Sequence, residues 1–273
     1  MKHFALIGFP LGHSMSPFIH KQLMHIAGID GDYRLIEMKS EEIAEKMPLL
    51  KQLDGFNVTI PHKTKIIDFL SSTDENASLF GAVNTVTTST MTGSNTDCDG
   101  FLRALKGAGI EICGDTLVLG AGGVSRMIAF ECAKRSHVTL AVRNSSVEKA
   151  EKIKLEIKEK LGREINVCDI NKIKGEYHLL VNGTPVGMYP NAQYCPVDDS
   201  VIANAQCVFD TIYNPEKTLL VKKAEEMGKK ASNGMTMLVA QAARAQEIWN
   251  SLPPFDDECI KQIASLATKE MNK

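Results

Sequence analysis

Short apolar runs alternate with segments whose apolar residues fall three and four positions apart along most of the chain, the pattern of strands alternating with amphipathic helices. Residues 4–8 read as the first strand, and Ile19, Leu23 and Ile26 give the next helix its inward face. Residues 33–38 form a second strand. Ser40 opens a helix with Ile43, Met47 and Leu50 inward, and residues 55–60 form a third strand. Pro61 is expected to start a helix that carries Lys63. A polar segment around Asp74 leads to a strand at 83–87, residues 91–94 read as a turn, and residues 95–100 cap a helix running to Gly109.

The pattern then repeats more strictly. Leu117, Val118 and Leu119 are a buried strand, followed by Gly120, Gly122 and Gly123 and by a helix whose stripe is Ile128, Ala129, Cys132 and Ala133. Strands at 137–142, 165–168, 177–182 and 208–210 alternate with helices at 146–161 and 216–228. Glu148/Lys152 and Glu156/Lys160 mark the first of these as a solvated helix face. Beyond Gly234 the pattern is only helical, with Met237, Leu238, Ala242, Ala245 and Trp249 on one stripe and Ile260, Ile263 and Leu266 on another.

The class is therefore α/β, and 273 residues are long for a single core, so two domains are expected. One is an N-terminal α/β substrate domain with a mostly parallel sheet. The other is a Rossmann-like, doubly wound domain built by right-handed crossovers. The closing helices could cover the completed sheet or return to the first half.

Charge and cysteine usage narrow the partners. A net charge of −2 gives no basic field for nucleic acid or an anionic membrane, which leaves small molecules. The seven cysteines form no C-x-x-C pair and share no ligand spacing with the seven histidines, so no metal is expected. The opening segment lacks the pattern of a secretory signal, no stretch has the length of a membrane span, and a cytoplasmic setting is expected. The oligomeric state is not legible, a homodimer being the assembly the sequence leaves open.

The candidate chemistry starts at the glycine turn. A strand, a turn of small residues and a helix N-terminus let backbone approach a phosphate and aim N–H groups at its charge. The usual third glycine of such a turn is replaced by Ser125, and glycine-rich turns also occur with no ligand. The first half lacks such a turn, which makes it the candidate substrate half. There Ser14 and Ser16 place two hydroxyls at a helix N-terminus, where a carboxylate would fit, although Ser16 alone reads as an N-cap with Pro17 after it. His13 and His20 read as packed or capping residues. Lys63 just inside a helix opposes the macrodipole, which invites a functional reason but also suits a solvated lysine, and Asp97 alone reads as a cap. Arg143, after the second strand of the doubly wound half, would pair a ribose 2′-phosphate where an acidic residue would instead grip a hydroxyl.

Eight blocks in order carry something more specific: Gly8-x-Pro10-x-x-His13-Ser14-x-Ser16-Pro17, Gly55-x-Asn57-Val58-Thr59-x-Pro61-x-Lys63, Gly81-Ala-Val-Asn84-Thr85, Asn95-Thr-Asp97-x-x-Gly100, Gly120-Ala-Gly-Gly123, Asn182-x-Thr184-x-x-Gly187-Met188, Asp210-x-x-Tyr213-x-Pro215 and Gly234-x-x-Met237-Leu238-x-x-Gln241-Ala242. Together they resemble the shikimate dehydrogenase family over nearly the whole chain. The resemblance implies NADP-dependent, reversible reduction of 3-dehydroshikimate to shikimate, on the route to chorismate and the aromatic amino acids. It implies that Lys63 is the acid/base residue, working with Asp97. Ser14 and Ser16 would hold the substrate carboxylate with Tyr213 beside them. Asn57, Thr59, Asn84, Asp97 and Gln241 would bond the hydroxyls and the reacting oxygen. The cofactor set would be Gly120, Ala121, Gly122, Gly123 and Val124, then Val142, Arg143 and Asn144, then Thr211 and Gly234. The nicotinamide would lie in the cleft between domains. The tail would rejoin the first half, giving a substrate domain of 1–100 plus 235–273 and an NADP domain of 101–234.

The chain departs from the family's pattern at Lys21, where asparagine is common, at Gln246, where phenylalanine is common, and at Val124-Ser125-Arg126, where small residues are common. Of the Asn-Arg-Thr triplet that usually follows the second strand, only Arg143 is kept. Two rivals stay open: a quinate/shikimate dehydrogenase with broader substrate and NAD use, and a non-catalytic NADP-binding sensor, against which the joint presence of Lys63 and Asp97 argues.

Overall fold

The computed structural model describes residues 1–12 and 14–273, and His13 of the first motif lies outside the described residues. The chain divides into two compact units, Met1–Gly100 with Val239–Lys273 and Phe101–Leu238. The second division falls at 239, inside a helix, where 235 was expected.

In the first unit the chain runs β1 (Lys2–Gly8), α1 (Ser16–Ile26), β2 (Gly31–Glu37), α2 (Ile43–Leu50), β3 (Gly55–Val58), β4 (Ser72–Thr73), α3 (Glu75–Phe80), β5 (Thr85–Thr87), β6 (Thr92–Ser94) and α4 (Asp97–Gly107), the last crossing the division. Strand order is β2-β1-β3-β5-β6-β4. Three pairings are parallel, β1 with β2, β1 with β3 and β4 with β6, while β5 runs antiparallel to both β3 and β6. The turn expected at 91–94 lies earlier, because Met91 takes the left-handed conformation (φ 50°) and Thr92–Ser94 already pair as a strand. The polar segment at Asp74 is the cap of α3: its carboxylate accepts from the Ala77 N–H at 2.7 Å. Ala5, Ile7, Phe56, Val58, Ile43, Leu50, Ile66 and Val86 form the core, all within 1% of full burial.

The second unit runs β7 (Asp115–Leu119), α5 (Gly123–Ala133), β8 (His137–Val142), α6 (Val147–Leu161), β9 (Asn166–Asp169), β10 (Tyr177–Asn182), α7 (Asp199–Ala203), β11 (Ala205–Asp210), α8 (Leu219–Glu226) and β12 (Lys230–Ser232). Its order, β12-β11-β10-β7-β8-β9, is parallel throughout and doubly wound, with the reversal between β7 and β10. Leu117–Leu119 and Leu179–Val181 have no exposed surface, as central parallel strands covered on both faces require. Glu156, read from its spacing as a surface residue beside Lys160, is in contact with α5. It takes two hydrogen bonds from the Arg126 guanidinium, at 3.0 Å from Nε and 2.5 Å from Nη2, and so ties α5 to α6.

The tail consists of α9 (Met235–Asn250) and α10 (Asp257–Met271), and from Val239 onward it clusters with the first unit. Trp249 anchors it there. The indole stacks on Phe4 with centroids 4.8 Å apart, and its Nε1 donates to the Val86 carbonyl at 2.9 Å. On α10, Ile260 and Ile263 face inward as their spacing predicts, but Leu266 is 44% exposed and Ala264 and Ala267 complete the stripe.

Candidate functional site

In the first unit, the expected site residues converge on an ion pair. Lys63 Nζ donates to Asp97 Oδ2 at 2.5 Å, with side chains 24% and 16% exposed. Pro61 does not open an α-helix: Lys63 stands in a turn ahead of a 3₁₀ segment at Lys65–Phe69, so no macrodipole opposes its charge there. Asp97 is the first residue of α4, and it is Asn95 that accepts the Asp97 N–H, at 3.2 Å. The Asp97 carboxylate is instead divided between Lys63 and the Asn84 amide, whose Nδ2 lies 2.9 Å from Oδ1.

Behind this pair the polar groups are buried and bonded to one another. Asn84 Nδ2 also faces Thr96 Oγ1 at 3.0 Å and Gln241 Oε1 at 3.4 Å, and Asn84 Oδ1 accepts the Thr96 N–H at 2.8 Å and the Thr85 hydroxyl at 3.1 Å. Asn57 donates through Nδ2 to the Asn84 carbonyl (3.0 Å) and Thr85 Oγ1 (2.9 Å), and through Oδ1 accepts the Tyr33 hydroxyl at 2.7 Å. The Ser16 side chain stands beside that hydroxyl, and burial pushes the Tyr33 phenol well above its usual range. Ser16 is not the N-cap of α1 but its first residue. Met15 holds the cap position without a side-chain bond, and Ser14 Oγ accepts the Ser16 N–H at 3.3 Å. Thr59 is half-buried just after β3, its N–H given to the Ile7 carbonyl at 2.9 Å and its methyl against Gly8.

Sequence reasoning passed over Tyr33, which reads only as the start of a strand, and treated His20 as packing. His20 is fully buried, its ring stacked on Tyr33 with centroids 3.9 Å apart and planes 8° from parallel. Burial drives its pKa down to about 3, against the opposing pull of the neighbouring Asn57 amide. Gln246 is also fully buried, bonded to His20 and Asn250.

In the second unit the candidate cofactor residues gather at the carboxyl ends of β7, β8 and β11. Gly120 turns out of β7 with φ +95°, a conformation open to glycine and strained for other residues. Gly122 caps α5 with no side-chain bond to the first N–H groups, and a Cβ at Gly122 or Gly123 would meet only open space. That leaves Ala121, Gly122, Gly123 and the helix start at Val124 accessible to an anion. Ser125 fills the place of the missing third glycine. Its hydroxyl lies 3.1 Å from the Leu119 carbonyl and 3.0 Å from the Gly183 carbonyl, and the room comes from Gly183, where a Cβ would stand 2.3 Å from Ser125 Oγ. Close packing of helix on strand is thus kept with the small residue moved to the other partner.

Val142 ends β8 fully buried, followed by exposed Arg143 and Asn144, and Arg143 makes no ion pair among the described residues. Thr211 follows β11 and bonds the Asn182 carbonyl through both N–H (3.1 Å) and hydroxyl (2.9 Å), while Gly234 gives its N–H to Ile212 at 2.9 Å. Tyr213 lies in this unit too, partly buried, its phenol pushed up by burial. An accessible glycine turn, a bare helix start and an unpaired arginine on the neighbouring strand suit a dinucleotide bearing an extra phosphate.

A doubly wound unit with an anion-accepting turn and a second α/β unit with a lysine–carboxylate pair define a dinucleotide-dependent oxidoreductase of the two-unit α/β class. Comparison with known proteins narrows this. Residues 6–86 match the family model of the shikimate dehydrogenase substrate binding domain. A shikimate dehydrogenase (NADP(+)) of Caldanaerobacter subterraneus is 37% identical over 255 residues, 91% of each chain. A crystal structure of shikimate dehydrogenase in complex with NADP+ has a TM-score of 0.89 at 34% identity, covering 97% of this chain and 95% of that one. The Thermus thermophilus enzyme in complex with NADP(H) and shikimate has a TM-score of 0.87 at 30% identity, covering 98% and 100%. The chain belongs to the shikimate dehydrogenase family.

Proposed function

We propose that this chain catalyses the NADP-dependent, reversible interconversion of 3-dehydroshikimate and shikimate, with Lys63 as its acid/base residue. The observation that carries the reading is the Lys63–Asp97 contact of 2.5 Å, left partly exposed at the front of an otherwise buried polar cluster. NADP, when bound, supplies or accepts hydride. Reduction of a ketone builds negative charge on oxygen, and the Lys63 ammonium neutralises it and delivers the proton. Asp97 occupies one of the three Nζ protons and fixes the direction of the other two. In oxidation the same pair takes the hydroxyl proton back.

Ser14, Ser16 and the start of α1 receive the carboxylate of the substrate, and Thr59 and Gln241 bond its hydroxyls. Asn57 and Asn84 shape the wall, since their amide protons are engaged by the protein. In the second unit the backbone from Gly120 to Val124 receives the pyrophosphate, Arg143 the 2′-phosphate, and Val142, Asn144, Thr211 and Gly234 border the nucleotide. A cytoplasmic enzyme acting on this small molecule fits the composition.

The test is reduction of NADP followed by nicotinamide absorbance with shikimate as donor, repeated with quinate and with NAD. Turnover confined to shikimate and NADP is expected. No turnover with shikimate and either nucleotide would end the proposal.

A further inference from the structure

The first unit contains a line of polar side chains that the acid/base chemistry does not use. It starts at Lys2 on β1. Lys2 Nζ lies 2.6 Å from one side-chain amide atom of Asn250, and an ammonium only donates, so that atom is the oxygen. The other end of the amide is then Nδ2, which donates to Gln246 Oε1 at 2.8 Å. The remaining Gln246 atom is Nε2, a donor, and it lies 2.9 Å from His20 Nδ1. His20 Nδ1 must therefore accept, and in a neutral ring the proton sits on Nε2. That nitrogen is buried and has no hydrogen-bond partner among the described residues, while the His20 ring as a whole feels the neighbouring Asn57 amide.

The same amide can be oriented from the opposite end. Asp97 only accepts, so the Asn84 atom facing it at 2.9 Å is Nδ2, and Asn84 Oδ1 receives the Thr85 hydroxyl proton. The Thr85 oxygen is thereby left as the acceptor for Asn57 Nδ2, which also faces the Asn84 carbonyl. Asn57 Oδ1 is turned toward the Tyr33 hydroxyl, whose ring lies flat on His20. A donor-only anchor at Lys2 orients the run to His20, an acceptor-only anchor at Asp97 orients the run to Asn57 and Tyr33, and the two runs meet where the His20 ring lies flat on Tyr33.

We propose that Gln246 and His20 are positioning residues for Asn57 and Tyr33: Gln246 fixes the His20 ring, and the ring, stacked on Tyr33, sets the substrate-facing wall of the first unit. This rests on the reading of that wall as the shikimate site. Gln246 stands where the family resemblance expects phenylalanine, which has no donor for His20, so the device belongs to this chain's own sequence. Neither Gln246 nor His20 bonds Lys63 or Asp97, and the effect of the device falls on substrate binding.

The experiment has two arms. In the first, ¹⁵N-histidine spectra of the full chain with NADP are assigned for His20 by comparison with His20→Asn. The expected state has Nδ1 unprotonated and Nε2 protonated, and an Nδ1–H tautomer or an imidazolium at neutral pH would overturn the proposal. This arm needs no activity, so its result is separable from failure of the shikimate reading. In the second, Gln246→Glu keeps size and removes the donor. It is expected to move the His20 proton to Nδ1 and to raise KM for shikimate about tenfold, as for a lost buried hydrogen bond, with kcat and KM for NADP within about threefold. An unchanged shikimate KM, or a parallel rise in both KM values, refutes the positioning role. Should that variant not fold, the tautomer in the unmodified chain still decides.

Discussion

The two units treat buried polarity in opposite ways. In the first, His20, Asn57, Asn84, Thr85, Thr96 and Gln246 run through the interior as bonded side chains. In the second, the central strands are apolar apart from Thr116 near the start of β7, and the buried Asn182, Asp210 and Thr218 sit at or beyond the strand ends. There Asp210 takes bonds from Asn182 Nδ2 (3.0 Å), the Thr218 hydroxyl (2.7 Å) and the Ile212 N–H (3.1 Å), holding the loop after β11 in place. A dinucleotide is gripped largely by backbone at a turn, which asks for glycines and leaves the core free to be apolar. A small polyhydroxylated ring offers directional groups on every side, and side-chain amides must be held at set angles to meet them. On the function proposed above, the difference in interior follows from the difference in what each unit recognises.

The division of labour between the units is tested most strongly at Lys63. Lys63→Ala removes the proposed proton donor from the first unit and nothing from the second. The rate should fall by about 10²–10⁴, the usual worth of a positioned acid or base, with NADP affinity measured by fluorescence titration unchanged. Loss of nucleotide binding in parallel would mean that the division of labour is wrong.

A second prediction uses pH, because the buried groups of the two units shift in opposite senses. The folded pKa of His20, about 3, lies below its unfolded 6.5. The unfolded chain therefore binds more protons between those values, and the first unit loses stability as pH falls through that range, on the order of 4–5 kcal/mol in the limit. Burial raises Asp210 from 3.8 to about 6, against its three hydrogen bonds. Here the folded chain binds more protons, so the second unit is least stable above pH 6 and recovers as pH falls toward 4, by on the order of 3 kcal/mol. Amide hydrogen exchange at pH 7 and pH 4.5, corrected for intrinsic rates, should show protection falling around α1 and β3 and rising around β10 and β11. Protection moving in the same direction in both would contradict the assignment of these two groups.

A third test probes the glycine turn. Gly183→Ala puts a methyl 2.3 Å from Ser125 Oγ in a packed junction, and should lower stability by about 1–3 kcal/mol in chemical denaturation. The double variant with Ser125→Gly, which restores the ordinary third glycine of such turns, should recover most of it. If the two changes simply add, the helix and strand are not sharing one space.

How much of this was legible depends on the range over which each feature is specified. The glycine turn, α5 and β8 could be read because their signals are local: glycines where backbone must turn, then a helical stripe. The first unit's polar chain could not, because His20 and Gln246 are 226 residues apart and each alone reads as packing or as a helix face. Lys63 was misplaced onto a helix because Pro61 is a helix-start residue by propensity, whereas tertiary bonds, including the Val83 N–H to the Lys63 carbonyl at 2.8 Å, hold the segment as a turn. The elements that the pattern does not predict, β4, α3, β6, α7 and β12, are two to six residues long, too short for periodicity to speak. The eight motif blocks fared better than either kind of physical signal at naming the family, yet they carry no information on Gln246, where the chain departs from them.

The smallest expected effect concerns Arg143, and it tests whether the second unit relies on backbone alone. The arginine is exposed at the end of β8, beside the strand that feeds the glycine turn, so its pairing with a 2′-phosphate would be partly screened by solvent. Arg143→Ala should therefore raise KM for NADP by about tenfold, the lower range for a charge-assisted hydrogen bond, while KM for NAD and for shikimate stay within about twofold. Because the pair is exposed, the NADP penalty should shrink as ionic strength rises, since salt weakens the arginine–phosphate attraction in the unmodified chain and not in the variant. A variant that loses NADP and NAD binding equally would show Arg143 supporting the fold of the turn, and selectivity between the nucleotides would then have to come from the backbone geometry around Gly120 to Val124.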